Sequence, residues 1–533
     1  MKLPTSAKMR TLDNSAIKNY NIPGIVLMEN AGLGTVRMMV EHCGPCSNTF
    51  AAIFVGPGNN GGDGLVIGRH LYQRGCQPIF FFLVDPANLK GDAAINLKIT
   101  QRIGLTFHVI DNVNRVKTVP DLLKDYESHS GSCYAIVDSI FGIGLTRKVE
   151  NHFSHLIDII NKRDFAGRAP VVSVDIPSGL DSDTGNPLGS CVRADYTATY
   201  CCAKPGHFIQ QGPELSGKLK IIDIGIPRVV IEKENIQTEL ITKNGFKKMT
   251  GVIARKTNSH KGTYGHLIVI GGSTGKTGAA ILASKGAVRA GSGLVSLLAP
   301  RNLNTIYEIS LVEAMTIPLK SSGDFFQLDD IDLILKNLKG KQAAILGPGI
   351  GMDESTRKLV LRLYHEAKCP LILDADALNL LALSLKDIRT PAGSRIFTPH
   401  PGELARLTGK STETVQKNRL KAGKLAYELF RNPIHDIILV LKGAQTLIFS
   451  ADSHTAINPT GNPGMATGGM GDVLSGIIGA LICQGMSSLD AAVSGVFLHG
   501  SAGDDLCLLT GTGYTATELT DRIPITMKNL LSS

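Results

Sequence analysis

The sequence predicts an α/β protein of two domains, each built on a mostly parallel sheet covered by helices. Three observations lead to this prediction. The 533 residues are too many for one ordinary core. Short apolar runs alternate with helix-like stretches, a rhythm typical of parallel strands joined by helices. The 58 glycines and 43% hydrophobic residues suit packed domains with many tight turns.

The strand-like runs of the first half lie between residue 49 and about residue 225. They are TFAAIFV, PIFFFLV, LTFHVI, YAIVD, PVVSVD and DYTATYCC. Each run is short and apolar enough to be buried on both faces of a parallel sheet. The sequence therefore predicts a Rossmann-like, three-layer domain over residues 1–228.

A second series of strand-like runs follows residues 229–248, which are more polar and are predicted to be a linker. The runs are HLIVIGG, LVSLLAP, AAILGPG, LILDAD, RIFTPH, DIILVLKG and TLIFS. No sequence repeat relates the two halves. We therefore expect a second, unlike domain over residues 249–533 with a core of its own.

Composition argues against several classes of protein. The net charge of +9 is spread without a block of Lys and Arg, and Trp is absent, so we expect no nucleic-acid partner. The N-terminus lacks the apolar stretch of an export signal, and no run of 18 apolar residues occurs, so nothing marks export or membrane insertion. Ten irregularly spaced cysteines indicate reduced thiols and a cytoplasmic location. Cys43 and Cys46 have C-x-x-C spacing, but they follow a predicted helix, so we interpret them as loop cysteines.

The strongest local signal is the glycine-rich segment NPTGNPGMATGGMGD, residues 458–472. Its glycines free backbone N–H groups to face an anion, and the helix beginning near Asp472 directs its N-terminus into the same space. Asp472 is therefore predicted to take the proton of an attacking hydroxyl in phosphoryl transfer. A helix N-cap is the alternative for Asp472, but five glycines within eleven residues favour chemistry.

A second glycine-rich segment, GGSTGKT at residues 271–277, looks like a Walker A phosphate loop. It is one residue too short, because such a loop needs four residues between its glycines. The sequence therefore predicts no P-loop here.

Segment 458–472 resembles the anion-hole motif of ribokinase-like enzymes, which implies a ribokinase-like α/β domain. Further strings are SHKGTYG from Ser259, TGA from Thr277, GPG from Gly347, DADALN from Asp374 and TPHPGE from Thr398. Together they resemble the NAD(P)H-hydrate dehydratases over about residues 250–525. The resemblance implies phosphorylation of the S epimer of hydrated NADH or NADPH by ADP or ATP with Mg²⁺. Phosphate elimination then restores the reduced dinucleotide, and fused members of the family favour ADP.

The same resemblance implies which residues contact the ligands. Substrate contacts are expected at Ala279, Gly349, His400 and Asp472. Nucleotide contacts are expected at Lys442, Gly443, Ala444, Gln445, Thr446, Asn462, Pro463, Gly464, Met465, Ala466, Thr467, Gly468, Gly469, Met470 and Gly471. A capping or core histidine is the alternative for His400, but its two flanking prolines favour a site loop.

In the first half, residues 53–71, IFVGPGNNGGDGLVIGRHL, match the dinucleotide-binding fingerprint letter by letter. That match alone suggests an NAD-dependent dehydrogenase. However, Asp63 in the turn would repel a phosphate, and Asn60 offers a carbonyl oxygen to a hard cation. Two later strand ends carry Asp138 and Asp175. The sequence therefore predicts an oxygen-lined site at the carboxyl ends of parallel strands.

The strings GNNGGDG, DSIFGIG and SVDIPSG resemble the NAD(P)H-hydrate epimerases over about residues 8–225. This resemblance implies a K⁺ ion held by Asn60, Asp138 and Ser178. Substrate contacts are expected at Asn59, Asn60, Gly61, Gly62, Asp63, Gly142, Ile143, Gly144, Leu145, Thr146, Arg147, Lys148 and Asp175. The reaction interconverts the R and S hydrates at nicotinamide C6. Asp175 is the candidate acid/base; Lys204 is a weaker one, and an exposed loop lysine is equally open.

The sequence thus predicts a bifunctional enzyme in which an epimerase supplies an ADP- or ATP-dependent dehydratase. We expect it to act on small molecules and to form a homo-oligomer. Two alternatives stay open. One is a vitamin- or sugar-type kinase with an N-terminal ligand-binding domain, and the other gives the first half a non-catalytic binding role.

Overall fold

The computed structural model describes residues 1–163, 167, 169–253, 255 and 257–532. The chain divides into an N-terminal unit, residues 2–238, and a C-terminal unit, residues 239–533 with residue 1. The segment predicted to be a linker, residues 229–248, contains this boundary. Part of that segment is packed structure, because Ile241 and Phe246 are buried in the C-terminal core.

The N-terminal sheet contains β1 (Thr49–Val55), β2 (Cys76–Phe82), β3 (Thr106–Val109), β4 (Cys133–Ser139), β5 (Val171–Val174), β6 (Tyr196–Tyr200) and β7 (Lys218–Ile222). The strands pair in the order β3-β2-β1-β4-β5-β6-β7, and each of these pairings is parallel. This is the doubly wound Rossmann order, which places ligand sites at the switch between β1 and β4. The six predicted strands are confirmed. Strand β7 was not predicted, because it is a largely exposed edge strand whose two lysines interrupt the apolar pattern.

The N-terminal helices are α1 (Ser6–Tyr20), α2 (Gly24–Cys43), α3 (Asn59–Tyr72), α4 (Gly91–Ile103), α5 (Val113–Val116), α6 (Val119–Ser130), α7 (Asn151–Lys162), α8 (Gly212–Ser216) and α9 (Arg228–Lys233). They cover both faces of the sheet, because alternate residues of β1 enter different cores. Ile53 packs in a core that includes residues of α2 and α3, whereas Phe54 packs in one that includes residues of α6 and α7. The predicted three-layer architecture is confirmed.

The C-terminal sheet contains β8 (Thr238–Leu240), β9 (His266–Ile270), β10 (Leu294–Pro300), β11 (Met315–Leu319), β12 (Ala343–Leu346), β13 (Leu371–Leu373), β14 (Arg395–Phe397), β15 (Ile437–Leu441), β16 (Leu447–Phe449) and β17 (Thr455–Ile457). Its order is β11-β10-β9-β12-β13-β14-β15-β16-β17-β8. The strands from β11 to β15 pair in parallel, and β16 is antiparallel to both of its neighbours. The seven predicted strands are confirmed, and the α/β class holds for both units.

The C-terminal helices are α10 (Lys243–Thr250), α11 (Thr277–Arg289), α12 (Asn304–Ser310), α13 (Ile331–Leu338), α14 (Glu354–Glu366), α15 (Asp376–Ala382), α16 (Pro401–Thr408), α17 (Thr412–Lys417), α18 (Arg419–Phe430), α19 (Met470–Cys483), α20 (Ser488–Thr510) and α21 (Ala516–Ser532). The largely buried α19 packs with α11 and α20 in the main core of this unit. This packing fixes the N-terminus of α19 at the carboxyl edge of the sheet, where the predicted anion hole lies.

The cysteines are free thiols at all ten positions. Cys43 ends α2 and Cys46 follows in the connection to β1. Burial raises the pKa of both thiols, whereas a redox-active C-x-x-C needs a lowered thiol pKa. Among the helices that the structure describes, none is long and apolar enough to cross a membrane.

Arg395 is a fully buried cation that anchors the chain after α14. Its guanidinium donates hydrogen bonds to the carbonyl oxygens of Tyr364, Ala367 and Ser394 at 2.5, 2.7 and 2.9 Å. Removing these donors leaves buried carbonyl groups unsatisfied. We expect Arg395→Met to lower the free energy of unfolding by about 2–4 kcal/mol in urea titrations followed by circular dichroism. The exposed Arg431→Met is the control, and an equal loss in both variants would contradict this account.

Candidate active sites

A cavity of about 560 Å³ opens in the N-terminal unit at the carboxyl edge of the sheet. The predicted substrate residues that line it are Asn59, Asn60, Asp63, Gly142, Ile143, Gly144, Leu145, Thr146, Arg147 and Asp175. The remaining predicted contacts, Gly61, Gly62 and Lys148, do not line it. Three separate strand ends thus converge on one cavity.

Residues 59–63, predicted to lie in a glycine turn, form the start of helix α3 instead. The turn prediction is wrong because tight packing lets the helix begin directly after β1. A Cβ on Gly61 would collide with the carbonyl oxygen of Gly56, and one on Gly64 would collide with the Ser139 hydroxyl. This close approach buries the side chains of Asn60 and Asp63 at the edge of the sheet.

Asp175 and Lys204 form a buried ion pair beside the cavity. The Asp175 carboxylate accepts hydrogen bonds from the Lys204 ammonium at 2.5 Å and from the Tyr200 N–H at 3.2 Å. Lys204 also donates to the Thr199 hydroxyl at 2.8 Å and is fully buried. Reading Lys204 as an exposed loop lysine is therefore wrong. The Asp175 backbone has a φ of 66°, so neighbouring structure holds the residue in a left-handed conformation.

Three further carboxyl groups line the same cavity, those of Asp13, Asp63 and Asp92. Burial raises the pKa of Asp63 well above its usual value, and the charges of Asp175 and Asp13 raise it further. The pKa of Asp13 on α1 is raised to about 6, first by burial and then by Asp175. The cavity therefore combines an ion pair with carboxyl groups that hold protons more tightly than usual, a set able to donate and accept protons.

The two ring nitrogens of His207 are hydrogen-bonded to the backbone of Lys204 and of Asp175. The Lys204 N–H donates to His207 Nδ1 at 3.0 Å, so Nε2 carries the proton and donates to the Asp175 carbonyl oxygen at 3.2 Å. Burial and the Lys204 charge lower the pKa of His207 to about 3. The ring therefore stays neutral and fixes the backbone of Asp175.

The predicted cation ligands lie at the end of β4 and beside it. The Asp138 carboxylate is fully buried and accepts hydrogen bonds from the Ser178 N–H at 2.8 Å and the Ser178 hydroxyl at 2.5 Å. The Asn60 Nδ2 is buried and has no hydrogen-bond partner among the described residues. No group of three or more His, Cys, Asp and Glu side chains in the described residues is arranged for a metal. Amide, carboxylate and hydroxyl oxygens fit a hard cation rather than a transition metal.

A second polar cluster lies at the carboxyl edge of the C-terminal sheet. The Lys442 ammonium lies 2.7 Å from an oxygen of Asp374 and 3.9 Å from one of Glu403. The other Asp374 oxygen accepts a hydrogen bond from the Ser475 hydroxyl of α19 at 2.6 Å. A Cβ on Gly471 would lie 3.1 Å from the Lys442 ammonium, so this cation faces the N-terminus of α19. A cation beside a helix N-terminus is an arrangement that suits an anion.

Asp472 lies in the first turn of α19, whose N-cap is Gly469 with a φ of 89°. The alternative interpretation of Asp472 as the N-cap is therefore wrong. Burial raises the pKa of Asp472 to about 8, the Asp374 charge adds to this, and Lys442 opposes it. Burial likewise raises the pKa of Glu403 to about 7. A carboxyl group whose pKa lies this close to neutral pH exists in both its acidic and its basic form there.

His400 is the N-cap of α16, which confirms the alternative interpretation of this residue as a capping histidine. The ring Nδ1 accepts a hydrogen bond from the Gly402 N–H at 3.0 Å. The backbone N–H of His400 donates to the Glu403 carboxylate at 2.8 Å. The side chain is half exposed, with Nε2 3.3 Å from a Glu403 oxygen. His400 thus both caps the helix and lies beside Glu403 of the polar cluster.

The predicted substrate positions Ala279 and Gly349 lie next to each other. A Cβ on Gly349, whose φ is 63°, would approach the Ala279 Cβ to 3.3 Å. Lys276 precedes α11 and donates to the Asp376 carboxylate at 2.9 Å. The GGSTGKT segment therefore contributes to this edge of the sheet through Lys276. Its ammonium pairs with Asp376, and its carbonyl oxygen lies 2.6 Å from where a Cβ on Gly349 would be.

The predicted nucleotide segment 442–446 is bonded to the start of the glycine-rich segment 458–472, since the Asn458 N–H donates to the Thr446 carbonyl oxygen at 2.9 Å. Asp504 of α20 accepts hydrogen bonds from the Gly461 N–H and the Asn462 amide, both at 3.0 Å. Arg419 of α18 donates to carbonyl oxygens of segment 442–446. Sequence reasoning missed Asp504, Arg419 and Asp13, because none of them lies in a motif.

Comparison with known proteins gives two matches to families. Residues 24–206 match a family described as YjeF-related protein N-terminus, and residues 267–525 match one described as NAD(P)H-hydrate dehydratase. The curated bifunctional NAD(P)H-hydrate repair enzyme Nnr of Moorella thermoacetica is 38% identical, over 99% of this chain and 97% of its own. The Escherichia coli protein of the same name is 34% identical, over 88% and 83%.

Solved structures also match the C-terminal half. A Bacillus subtilis ADP/ATP-dependent NAD(P)H-hydrate dehydratase, co-crystallised with ATP and Mg²⁺, is 32% identical. The match covers 54% of this chain and 97% of that chain, with a TM-score of 0.45.

Proposed function

The chain belongs to the family of bifunctional NAD(P)H-hydrate repair enzymes, and we propose that its two units carry the two halves of that repair. The N-terminal unit interconverts the R and S hydrates of NADH and NADPH. The C-terminal unit dehydrates the S hydrate at the expense of ADP or ATP and restores the reduced dinucleotide. The observation that carries the second assignment is Asp472 at the N-terminus of α19 facing Lys442.

The proposed dehydration begins with phosphoryl transfer. Asp472 takes the proton of the C6 hydroxyl while that oxygen attacks the terminal phosphorus of the nucleotide. The bond from that phosphorus to the bridging oxygen breaks, and AMP leaves from ADP, or ADP from ATP. Lys442 and the N–H groups at the start of α19 stabilise the negative charge of the transferring group. Hydroxide is a poor leaving group and phosphate a good one, so the lone pair of the ring nitrogen then expels phosphate from C6. Loss of a proton from C5 of the resulting iminium ion restores the C5–C6 double bond of the reduced dinucleotide. We favour ADP as the phosphoryl donor.

The proposed Mg²⁺ enters with the nucleotide and would neutralise phosphate charge. The C-terminal site suits it, because carboxylate oxygens are the ligands that Mg²⁺ prefers. Glu403 and Asp472 are the carboxyl groups beside Lys442 that would offer such oxygens.

In the proposed epimerase, Asp175 moves protons at the substrate while Lys204 holds it in place. The cavity residues Asn59, Asn60, Asp63 and Gly142–Arg147 position the dinucleotide. The oxygens of Asn60, Asp138 and Ser178 would hold K⁺, because amide, carboxylate and hydroxyl oxygens are ligands that suit a hard cation. Bound K⁺ would supply a positive charge beside the substrate.

The whole proposal is tested by incubating hydrated NADH with the enzyme and either ADP or ATP. We expect the absorbance of reduced nicotinamide to recover and free phosphate to appear in equal amounts. A kinase of the vitamin or sugar type would instead leave a stable phosphorylated product, with no recovery of absorbance.

The proposed cation gives a prediction of its own. We expect epimerisation of the purified R hydrate to slow by at least about tenfold when Li⁺ replaces K⁺ at constant ionic strength, because the smaller ion does not match the oxygen cage. In Asn60→Ala the rate should be low in both salts. Dehydration of the purified S hydrate is the control that separates the two sites. Equal epimerisation rates in K⁺ and Li⁺ would refute the cation site.

We also propose a cytoplasmic location and a homo-oligomeric assembly. The ten free thiols support the first. The exposed apolar side chains of Ile309 and Val312 support the second. Light scattering of the purified chain measures the assembly.

A further inference from the structure

Arg419, the first residue of α18, lies beneath the predicted nucleotide segment 442–446. It is buried, and its guanidinium donates hydrogen bonds to the carbonyl oxygens of Leu441 and Lys442, both at 3.2 Å, and of Ala444. Among the described residues no carboxylate pairs with it. Three carbonyl dipoles of one short segment therefore balance a buried positive charge.

The direction of these carbonyl groups fixes the direction of the neighbouring N–H groups. The chain has no cis peptide bonds among the described residues, so each carbonyl points opposite to the N–H of the next residue. Because the Lys442 and Ala444 carbonyl oxygens point at Arg419, the Gly443 and Gln445 N–H groups point away from it. Neither N–H donates a hydrogen bond to any residue that the structure describes. Gly443 and Ala444 are exposed, so this side of the segment is open.

The backbone of the segment is held in an unusual shape. Gln445 has a φ of 49° and Gly443 one of 133°. A non-glycine residue in the left-handed region persists only when its surroundings hold it there. The Arg419 guanidinium stabilises this backbone conformation, because its planar group of N–H donors reaches several carbonyl oxygens at once. A lysine ammonium is a compact charge and would not reach the same set of oxygens.

We propose that Arg419 is a positioning residue that turns the Gly443 and Gln445 N–H groups toward a phosphate of the bound nucleotide. Successive N–H groups that face one point form an anion-binding concavity. Arg419 itself never touches the nucleotide. The inference rests on the proposed function, in which segment 442–446 binds ADP or ATP.

The test measures binding of ADP and of adenosine to the full chain by titration calorimetry, comparing wild type with Arg419→Lys and Arg419→Met. We expect both variants to bind ADP about tenfold to a hundredfold more weakly. Adenosine, which lacks phosphate, should bind with an affinity within about twofold of wild type. The KM for ADP should rise by a similar factor with kcat changed far less.

Arg395→Lys is the matched control, since Arg395 is also a buried arginine that donates only to carbonyl oxygens, but of a different segment. It should reduce stability and leave ADP affinity unchanged. The inference is overturned if the Arg419 variants bind ADP like wild type, or if ADP and adenosine affinities fall together. If Arg419→Met does not fold, Arg419→Lys decides. Failure of wild type to bind ADP at all would instead refute the proposed function.

Discussion

Asp472→Asn is expected to lower the turnover of the dehydratase by about 10²- to 10⁴-fold, because the amide cannot accept the hydroxyl proton. The substitution keeps the size of the side chain. The Lys442–Asp374 ion pair and the N-terminus of α19 remain in place to bind the nucleotide. The KM for ADP should therefore stay within about threefold of wild type. Turnover is measured on the purified S hydrate as recovery of reduced nicotinamide.

The control for this variant is Asp490→Asn. Asp490 also lies in the first turn of a helix, α20, and there its carboxylate accepts a hydrogen bond from the Ser487 hydroxyl. We expect the dehydratase turnover of this variant to equal that of wild type. Asp472 is not the base if Asp472→Asn keeps more than about a tenth of the wild-type turnover.

The raised pKa of Asp472 also predicts that the activity of the dehydratase rises with pH. With a pKa of about 8, the carboxyl is mostly protonated at neutral pH and gains its basic form as the pH rises. The kcat/KM for the S hydrate should therefore increase by about tenfold per pH unit below this pKa and level off above it. Asp472→Asn should lose that slope. A kcat/KM in wild type that falls as the pH rises toward 8 would contradict the assignment.

The strands and the main motif positions could be predicted from the sequence because each depends on local composition. Buried parallel strands are continuous apolar runs, as in β1 and β4, and glycine-rich strand ends mark the ligand edge. Edge strands such as β7 and β11 carry partly exposed, mixed residues and gave no such run. Strand β17, Thr455–Ile457, has only two apolar residues between polar neighbours and so does not stand out.

The partners of the motif residues could not be predicted, because burial and pairing arise from tertiary contacts. Lys204 lies in a stretch with proline and glycine that is typical of a surface loop, but its side chain is fully buried in the folded chain. Asp13 comes from a helix before the first long strand and reaches the cavity only through packing. The start of α3 reads as a loop because glycine lowers helix propensity, but here glycine is what lets the helix pack.

The buried Asp175–Lys204 pair complicates any test of the epimerase. Replacing one partner of a buried ion pair leaves an uncompensated charge and costs about 3–5 kcal/mol of stability. Asp175→Asn alone could therefore lose activity through unfolding. The double variant Asp175→Asn/Lys204→Met removes both charges and should recover most of that stability. Urea unfolding followed by circular dichroism measures this recovery.

Epimerase activity should be lost in the double variant even though its stability returns. We expect both Asp175→Asn and the double variant to consume the purified R hydrate about 10²- to 10⁴-fold more slowly than wild type, down to the spontaneous rate of epimerisation. Both should dehydrate the S hydrate at the wild-type rate, because that chemistry depends on Asp472. Wild-type consumption of the R hydrate by the double variant would mean that the pair is only structural. A slow R reaction beside a fast S reaction in a stable protein assigns the epimerase chemistry to the Asp175–Lys204 pair, because unfolding no longer accounts for the loss.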